Sequence, residues 1–415
     1  MTELLDWQSA QQIILQHTPC ANMETLPLEQ SLYRVLAGNI TANRDHPPYN
    51  ISAMDGYAVR AADIATAPTT LNIIEDIEAG KRPRHTLSGG QCARIMTGAA
   101  IPEGADTIIR VEDTESTPAA TDATPRQVRI LVSAPSGTDI RLRGEHLRTG
   151  NPVLSAGATI TPGVFGMLAM LKQAQVRVFR QPSVGILSTG DELEGLHDPF
   201  DPDKIPDANS HSLLAQLQEL GIQASLLGIA RDNPQALKTA IQQGLSYDVL
   251  LISGGTSVGV HDYVRPVLET LGVQMLFWRV AIRPGHPVAF GTTKSTQVFC
   301  LPGNPVSSMV CCELFVLPAL RARMGHRTPF RRTLAATLTQ RIKHKPGRTD
   351  FQRVTLQQHA DGWLATPIVD QGSGSLLSMA QADGLAIVPA ESNGLEAGDD
   401  VTVQCFHHLL WATQP

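Results

Sequence analysis

Two familiar nucleotide signatures are missing from this 415-residue chain: it has no GxxxxGK[ST] and no GxGxxG. A P-loop and a dinucleotide fingerprint are therefore excluded. The six cysteines (Cys20, Cys92, Cys300, Cys311, Cys312 and Cys405) include no CxxC and no Cys/His spacing suited to zinc. Cys300, Cys311 and Cys312 sit among apolar residues and read as buried thiols of a reducing compartment. Basic charge is in deficit, with a formal net charge of −6. A phosphate backbone demands a basic face, so nucleic acid is not expected as a partner. No apolar stretch approaches the roughly 20 residues of a membrane span. The N-terminus carries Glu3 and Asp6 but no basic region, unlike a signal peptide. The expectation is a cytoplasmic protein without a membrane partner.

A 42% hydrophobic and 17% charged composition fits a globular chain. Its length allows about three domains. The most informative text is three apolar runs that each stop at a glycine-rich polar loop: SVGILSTGDEL from Ser183, DVLLISGGTSVGVHDY from Asp248 and VFCLPGNPVSS from Val298. Short apolar runs without polar alternation predict strands of a parallel sheet covered on both faces. Ligands of open α/β sheets bind beyond the carboxyl ends of the strands, so the three loops should converge on one site.

The loops have the chemistry of a phosphate site. Gly190, Gly254, Gly255, Gly259 and Gly303 let backbone N–H groups approach an anion, and Thr189, Thr256, Ser257 and Ser307 add hydroxyls. Pro305 suits the first turn of a helix starting near Val306. Asp191, Glu192 and Asp262 are hard oxygen ligands of the kind that share Mg²⁺ with phosphate. Asp191 equally suits a helix cap.

Around this core, residues 1–44 and 147–179 read as a helical N-terminal domain, with Ile13, Ile14, Leu26, Leu28 and Leu32 at loosely helical spacing. Residues 45–146, with LNIIEDI and QVRILVS, read as an inserted β module, in which TESTPAATDATPR (114–126) is an exposed loop. Residues 180–326 alternate strand and helix, with Asn209 or Ser210 as cap of SLLAQLQELG and Gly221 as its end. Residues 327–415 hold short strands of a small β-barrel or sandwich.

Seven segments, MDGYAV (from Met54), MTGAAIPEGADTII (from Met96), RLRGE (from Arg141), STGDEL (from Ser188), SGGTSVGVHD (from Ser253), IRPGHPVAFG (from Ile282) and LPGNPVSS (from Leu301), together resemble the MoeA family of molybdopterin molybdenumtransferases. That family includes the C-terminal domain of gephyrin. The resemblance runs over nearly the whole chain in family order. It implies a multidomain α/β plus β fold with a central doubly wound α/β domain and a C-terminal β-barrel. It also implies a homodimer that takes adenylylated molybdopterin, hydrolyses its anhydride with Mg²⁺ and inserts molybdate, releasing AMP.

Matched motif by motif, the resemblance assigns metal and hydrolysis roles to Glu192 and Asp262, with Asp232 of GIARDN nearby. Asp55, reached from the other subunit, joins them as a fourth catalytic carboxylate, although MDGYA also reads as a turn. Substrate contacts fall on Thr97, Thr189, Gly190, Gly254, Gly255, Ser257 and Gly259, and on Pro302, Gly303, Asn304 and Pro305. Oxyanion contacts fall on Arg279, Arg283, Arg353 and Ser373, with a surface ion pair as the alternative for Arg353. Two departures stand out. Arg279, Arg283 and His286 occupy positions where relatives place lysines, and His146 ends RGEH where relatives have RGED. Arginine keeps charge and fork geometry for an oxyanion but is a poor proton donor, and a charge role at His146 becomes pH-dependent. The alternative functions are the related adenylyltransferase, which shares the α/β domain, and a gephyrin-like scaffold.

Overall fold

A computed structural model describes residues 4–116, 126–255 and 263–406. The chain divides into two compact units: Met1–Ala37 with Gly157–Phe165 and Gln175–Pro415, and Gly38–Ala156 with Gly166–Ala174.

The first unit is built on a six-stranded sheet in the order Ala224–Ala230, Val184–Thr189, Val249–Ser253, Gln297–Leu301, Ala289–Thr292, Gln274–Phe277. Val184–Thr189 and Val249–Ser253 are buried at every position, as their unbroken apolar text requires. Residues alternate between two cores. Ile186, Leu251 and Phe299 pack with Leu213, Leu217 and Val306, while Leu250, Ile252, Val298 and Cys300 pack with Leu237, Ile241, Val264 and Leu268. Helices Ala208–Glu219 and Pro305–Cys311 thus cover one face, and Pro234–Gly244 and Val264–Thr270 the other. The doubly wound expectation holds. The three apolar runs are parallel neighbours as expected, and the sheet is mixed because Ala289–Thr292 runs antiparallel to both its neighbours. A short connection to Gln297–Leu301 can only reverse the chain, because a parallel return needs a long crossover.

The N-terminal segments are not a helical domain. Asp6 caps a single ten-residue helix, Trp7–Gln16, by accepting from the Ser9 N–H at 2.8 Å. The chain then forms Met23–Pro27, an antiparallel partner of Gln175–Phe179. QVRVF alternates polar and apolar residues, the period of a strand, and in METLP Pro27 cannot continue a helix. Residues 147–179 likewise contain one helix, Pro162–Met170, this strand and the short strand Pro152–Leu154.

The C-terminal strands Thr333–Leu338, Thr349–His359, Gly362–Pro367, Gly384–Val388 and Asp400–Cys405 close into a barrel, because Thr349–His359 pairs with both Gly362–Pro367 and Gly384–Val388. The barrel alternative is therefore the correct one.

The second unit is β-rich. Its six-stranded sheet runs Thr107–Arg110, Gly56–Val59, Gln91–Ile95, Thr69–Ile77, Gln127–Ile130, Thr114–Ser116. Of the expected 114–126 loop, Thr114–Ser116 is strand and residues 117–125 lie outside the described residues.

One continuous helical run, Pro305–Arg323, has the length and mean hydropathy of a membrane span, contrary to the expectation that no apolar stretch approaches one. Prolines and charges interrupt its text. It is mostly buried among the first unit's side chains and is a core helix.

Candidate active site at the carboxyl ends of the central strands

Register aligns Ser188, Ser253 and Leu301 across three neighbouring strands, so the loops beginning at Gly190, Gly254 and Pro302 leave the sheet together. The Gly254 N–H donates to the Leu301 carbonyl at 3.1 Å, tying two of them. Glycine is compulsory at two positions. Gly254 has φ +97°, and a Cβ there would stand 2.5 Å from the Thr189 carbonyl oxygen; Gly255 has φ +60°, and its Cβ would stand 2.3 Å from Val264 Cγ2. Gly303 is different, since among the described residues a Cβ there would meet only Gly254 Cα, at 3.8 Å. Among the described residues no side chain fills the space beside it, which suits a ligand cradle. Ser188 Oγ and Thr189 Oγ1 are buried with no hydrogen-bond partner among the described residues. Ser307 is only 4% exposed and belongs to the helix interior. Thr256, Ser257, Gly259 and Asp262 lie outside the described residues.

Pro305 opens the helix as expected, with Asn304 at its cap position. Asn304 Nδ2 donates to Ser373 Oγ at 2.9 Å, and the Val306 N–H donates to the Ser373 carbonyl at 3.1 Å, bringing Ser373 to the same edge. Arg353 is no surface ion pair: it is 1% exposed. Its Nε donates to Ser378 Oγ (3.2 Å) and its terminal nitrogen to the carbonyls of Asp370 (3.3 Å) and Gly372 (3.1 Å). Burial pushes the guanidinium pKa down, against the opposing effect of Asp350 and Asp370. Arg353 therefore holds the loop that carries Ser373.

Asp191 and Glu192 are exposed where the first strand ends. A Cβ on Gly190 would lie 2.6 Å from both Glu192 carboxylate oxygens, which places that carboxylate directly over the glycine turn. The Asp232 N–H donates to Asp191 Oδ1 at 3.3 Å, while Arg231 (3.1 Å) and Lys204 donate to the Asp191 carbonyl. Asp191 is thus a loop organiser beside Asp232 and caps no helix. Among the described residues, no three His, Cys, Asp or Glu groups converge on a point as a complete metal cage would. Oxygen-only donors that leave coordination positions to water and phosphate nevertheless fit Mg²⁺, which is commonly held by one or two carboxylates plus substrate.

Arg279 and Arg283 are exposed on the Ile282 loop, and Ile282 and Arg283 pair in parallel with Thr349 and Asp350 of the barrel. His286 Nδ1 lies 3.0 Å from the Val280 carbonyl; a carbonyl only accepts, so Nδ1 carries the proton. Gly285 (φ +103°) presses on Cys311 Sγ, where a Cβ would approach to 2.5 Å. This contact seats the arginine loop on the helix that begins at Pro305.

In the second unit, Asp55 Oδ1 accepts from the Thr97 N–H at 2.6 Å and from Thr97 Oγ1 at 2.7 Å. These bonds hold the Asp55 pKa below the ordinary carboxylate value. Gly56 follows because a Cβ there would collide with the Ile109 carbonyl at 2.0 Å. His146 lies beside His46, ring centroids 5.9 Å apart.

Sequence reasoning missed Asn209, which it read as a cap. Asp207 is the cap, accepting from the Ser210 N–H at 3.1 Å. Asn209 Nδ2 instead donates to Ser253 Oγ at 2.8 Å and to the Gly303 carbonyl at 2.7 Å. The available signal was redundancy: Asp207, Asn209 and Ser210 are three cap-type residues where one suffices.

A mixed α/β sheet with glycine loops and carboxylates beyond its carboxyl edge is the arrangement of an α/β ligand-binding domain. Three family descriptions match successive regions: the MoeA N-terminal region (domain I and II) over residues 5–171, a probable molybdopterin binding domain over 185–322, and the MoeA C-terminal region (domain IV) over 335–406. The chain is 35% identical to the molybdopterin molybdenumtransferase of Bacillus subtilis over 385 residues, covering 92% of this chain and 89% of the relative. It is 34% identical to that of Haemophilus influenzae over 390 residues, 93% and 95% of the two chains. The crystal structure of the molybdopterin biosynthesis MoeA protein from Pyrococcus horikosii superposes with a TM-score of 0.82 at 30% identity, over 97% of this chain and 99% of that one. The chain belongs to the MoeA family of molybdopterin molybdenumtransferases, enzymes of molybdenum cofactor biosynthesis.

Proposed function

We propose that this enzyme takes adenylylated molybdopterin and molybdate, hydrolyses the phosphoanhydride with Mg²⁺, and releases AMP and molybdenum cofactor. The observation that carries this reading is the convergence of the three glycine loops at one sheet edge with Asp191, Glu192 and Asp232. Backbone groups around Gly190, Gly254, Gly255 and Gly303 receive the phosphates, with Thr189 Oγ1, buried and unpartnered among the described residues, as a further donor. Glu192 and Asp232, with Asp262 and Asp191, are the oxygen donors that would hold Mg²⁺. When bound, the ion would neutralise charge developing across the anhydride and acidify a water. Arg279 and Arg283 bind the molybdate oxyanion, and Arg353 acts through the loop that presents Ser373.

The same reading makes the protein a cytoplasmic homodimer, in keeping with six free cysteines, four of them buried. Its parts are residues 1–44 with 147–179, the β module 45–146, the α/β domain 180–326 and the barrel 327–415. Asp55 and Thr97 complete the site of the partner subunit.

The test is AMP release from adenylylated molybdopterin with molybdate and Mg²⁺. Wild type turns over, and Glu192→Gln, still folded, loses about 10²–10³ in rate, the size of one electrostatic contact to the transition state. Equal AMP release by the variant would remove Glu192 from the hydrolytic site.

A further inference from the structure

Both hydrogens of one side-chain amide span two of the three loops. Asn209 sits in the first turn of Ala208–Glu219, which Asp207 already caps, and its Nδ2 reaches Ser253 Oγ at 2.8 Å and the Gly303 carbonyl at 2.7 Å. A primary amide has two N–H donors, and these two acceptors use both. The two acceptors lie on either side of the cradle. Ser253 immediately precedes Gly254 and Gly255, whose positive φ fixes the second loop's path, and Gly303 immediately precedes Asn304 and the helix start. The first turn of Ala208–Glu219 is anchored in turn to the Glu192 segment: the Asp207 N–H donates to the Glu194 carbonyl at 2.9 Å and the Ile205 N–H to the Glu192 carbonyl at 2.8 Å. One residue thereby links the carboxylate loop to both other loops.

We propose that Asn209 is a positioning residue for anhydride hydrolysis: it sets the spacing of the Gly254 and Gly303 loops relative to Glu192, without itself touching the reacting atoms. The proposal rests on the functional reading given above. Its consequence is specific, because the donors and not the bulk of the side chain do the work. Asn209→Asp keeps the shape and places an acid in the first turn, where the helix dipole favours it. It cannot donate to the Gly303 carbonyl and faces it with a negative oxygen. A residue serving only the helix would tolerate this change.

Two measurements decide the matter. In Asn209→Asp and Asn209→Ala, hydrogen–deuterium exchange should accelerate at least about tenfold in peptides covering 249–255 and 301–304, the signature of opened local structure. The peptide covering 208–219 should exchange as in wild type. In steady-state assays of AMP release, the Asp variant should lose about 10²-fold in kcat, the cost of roughly 1 Å of misplacement, with KM for adenylylated molybdopterin within about threefold of wild type. Unchanged exchange in both loops, or a wild-type kcat in Asn209→Asp, would overturn the proposal. If wild type itself released no AMP, the functional reading would fail, and the exchange data would still decide whether Asn209 clamps the loops.

Discussion

The glycine loops of the central sheet and the Asp55–Thr97 pair of the β module solve the same problem, holding a functional group still, in opposite ways. The loops are fixed by sterics and burial: positive φ at Gly254 and Gly255, strands with every residue buried, and an amide that bridges two loops from a third element. Asp55 is exposed and is fixed by two hydrogen bonds from a single exposed threonine. Substitution should therefore be costly for the fold in the first region and cheap in the second, even where both matter for turnover.

Gly255→Val gives the largest expected effect. It forces a β-branched residue to φ +60° with its Cβ 2.3 Å from Val264 Cγ2, and strain plus overpacking should cost about 2–5 kcal/mol. Thr97→Val removes one exposed hydroxyl contact and should cost about 1 kcal/mol or less. Urea unfolding of the two variants measures the contrast. Equal losses would mean that the two regions are built alike.

Next in size is the oxyanion loop. Arg283→Ala removes a charged donor and should weaken molybdate binding about 10- to 100-fold, the range of hydrogen bonds to charged groups, whereas Arg283→Lys should stay within about fivefold. Calorimetric titration reads both. Unchanged affinity in the alanine variant would move molybdate elsewhere.

What the sequence made legible follows the same division. The convergence of the loops was readable because a parallel strand buried on both faces writes a continuous apolar run, and the loop at its carboxyl end is where ligands gather. The antiparallel edge was not readable, since QMLF and AFGT are too short to reveal strand direction. Loose leucine spacing at Leu26, Leu28 and Leu32 imitated a helix where Met23–Pro27 is a strand that pairs with residues about 150 positions away, a tertiary choice that no local period encodes. The cap reading of Asn209 and the surface alternative for Arg353 failed for a related cause. Both are polar residues whose work is done on other loops, and a linear text does not display that partner.

The smallest expected effect is a difference in acid response. Burial, assisted by Arg321, lowers the His326 pKa to about 4. The unfolded chain binds this proton below about pH 6.5 while the folded one does not, so stability falls as pH drops from about 6.5 to 4. The ring is partly exposed, and the loss should be on the order of 1 kcal/mol. Asp45 in the β module responds in the same direction but in a lower pH window. The Thr149 N–H, then Arg143 and the Thr149 hydroxyl, lower its pKa to about 2, so its contribution is present above its ordinary pKa and is lost only as pH falls toward 2. Between pH 6.5 and 4, His326→Gln should flatten the pH dependence of urea midpoints, and Asp45→Asn should leave it unchanged. The reverse pattern would refute the assignment.

The central proposal is that both regions serve one composite centre shared between two subunits. Co-expression of an Asp55→Ala chain with a Glu192→Ala chain, followed by purification of the heterodimer, tests it most directly. Each parent homodimer should be folded and inactive. The heterodimer should have one site carrying both lesions and one intact, and should recover roughly half of wild-type AMP release and molybdenum cofactor formation. A folded heterodimer as inactive as its parents would contradict the account and confine the site to a single subunit.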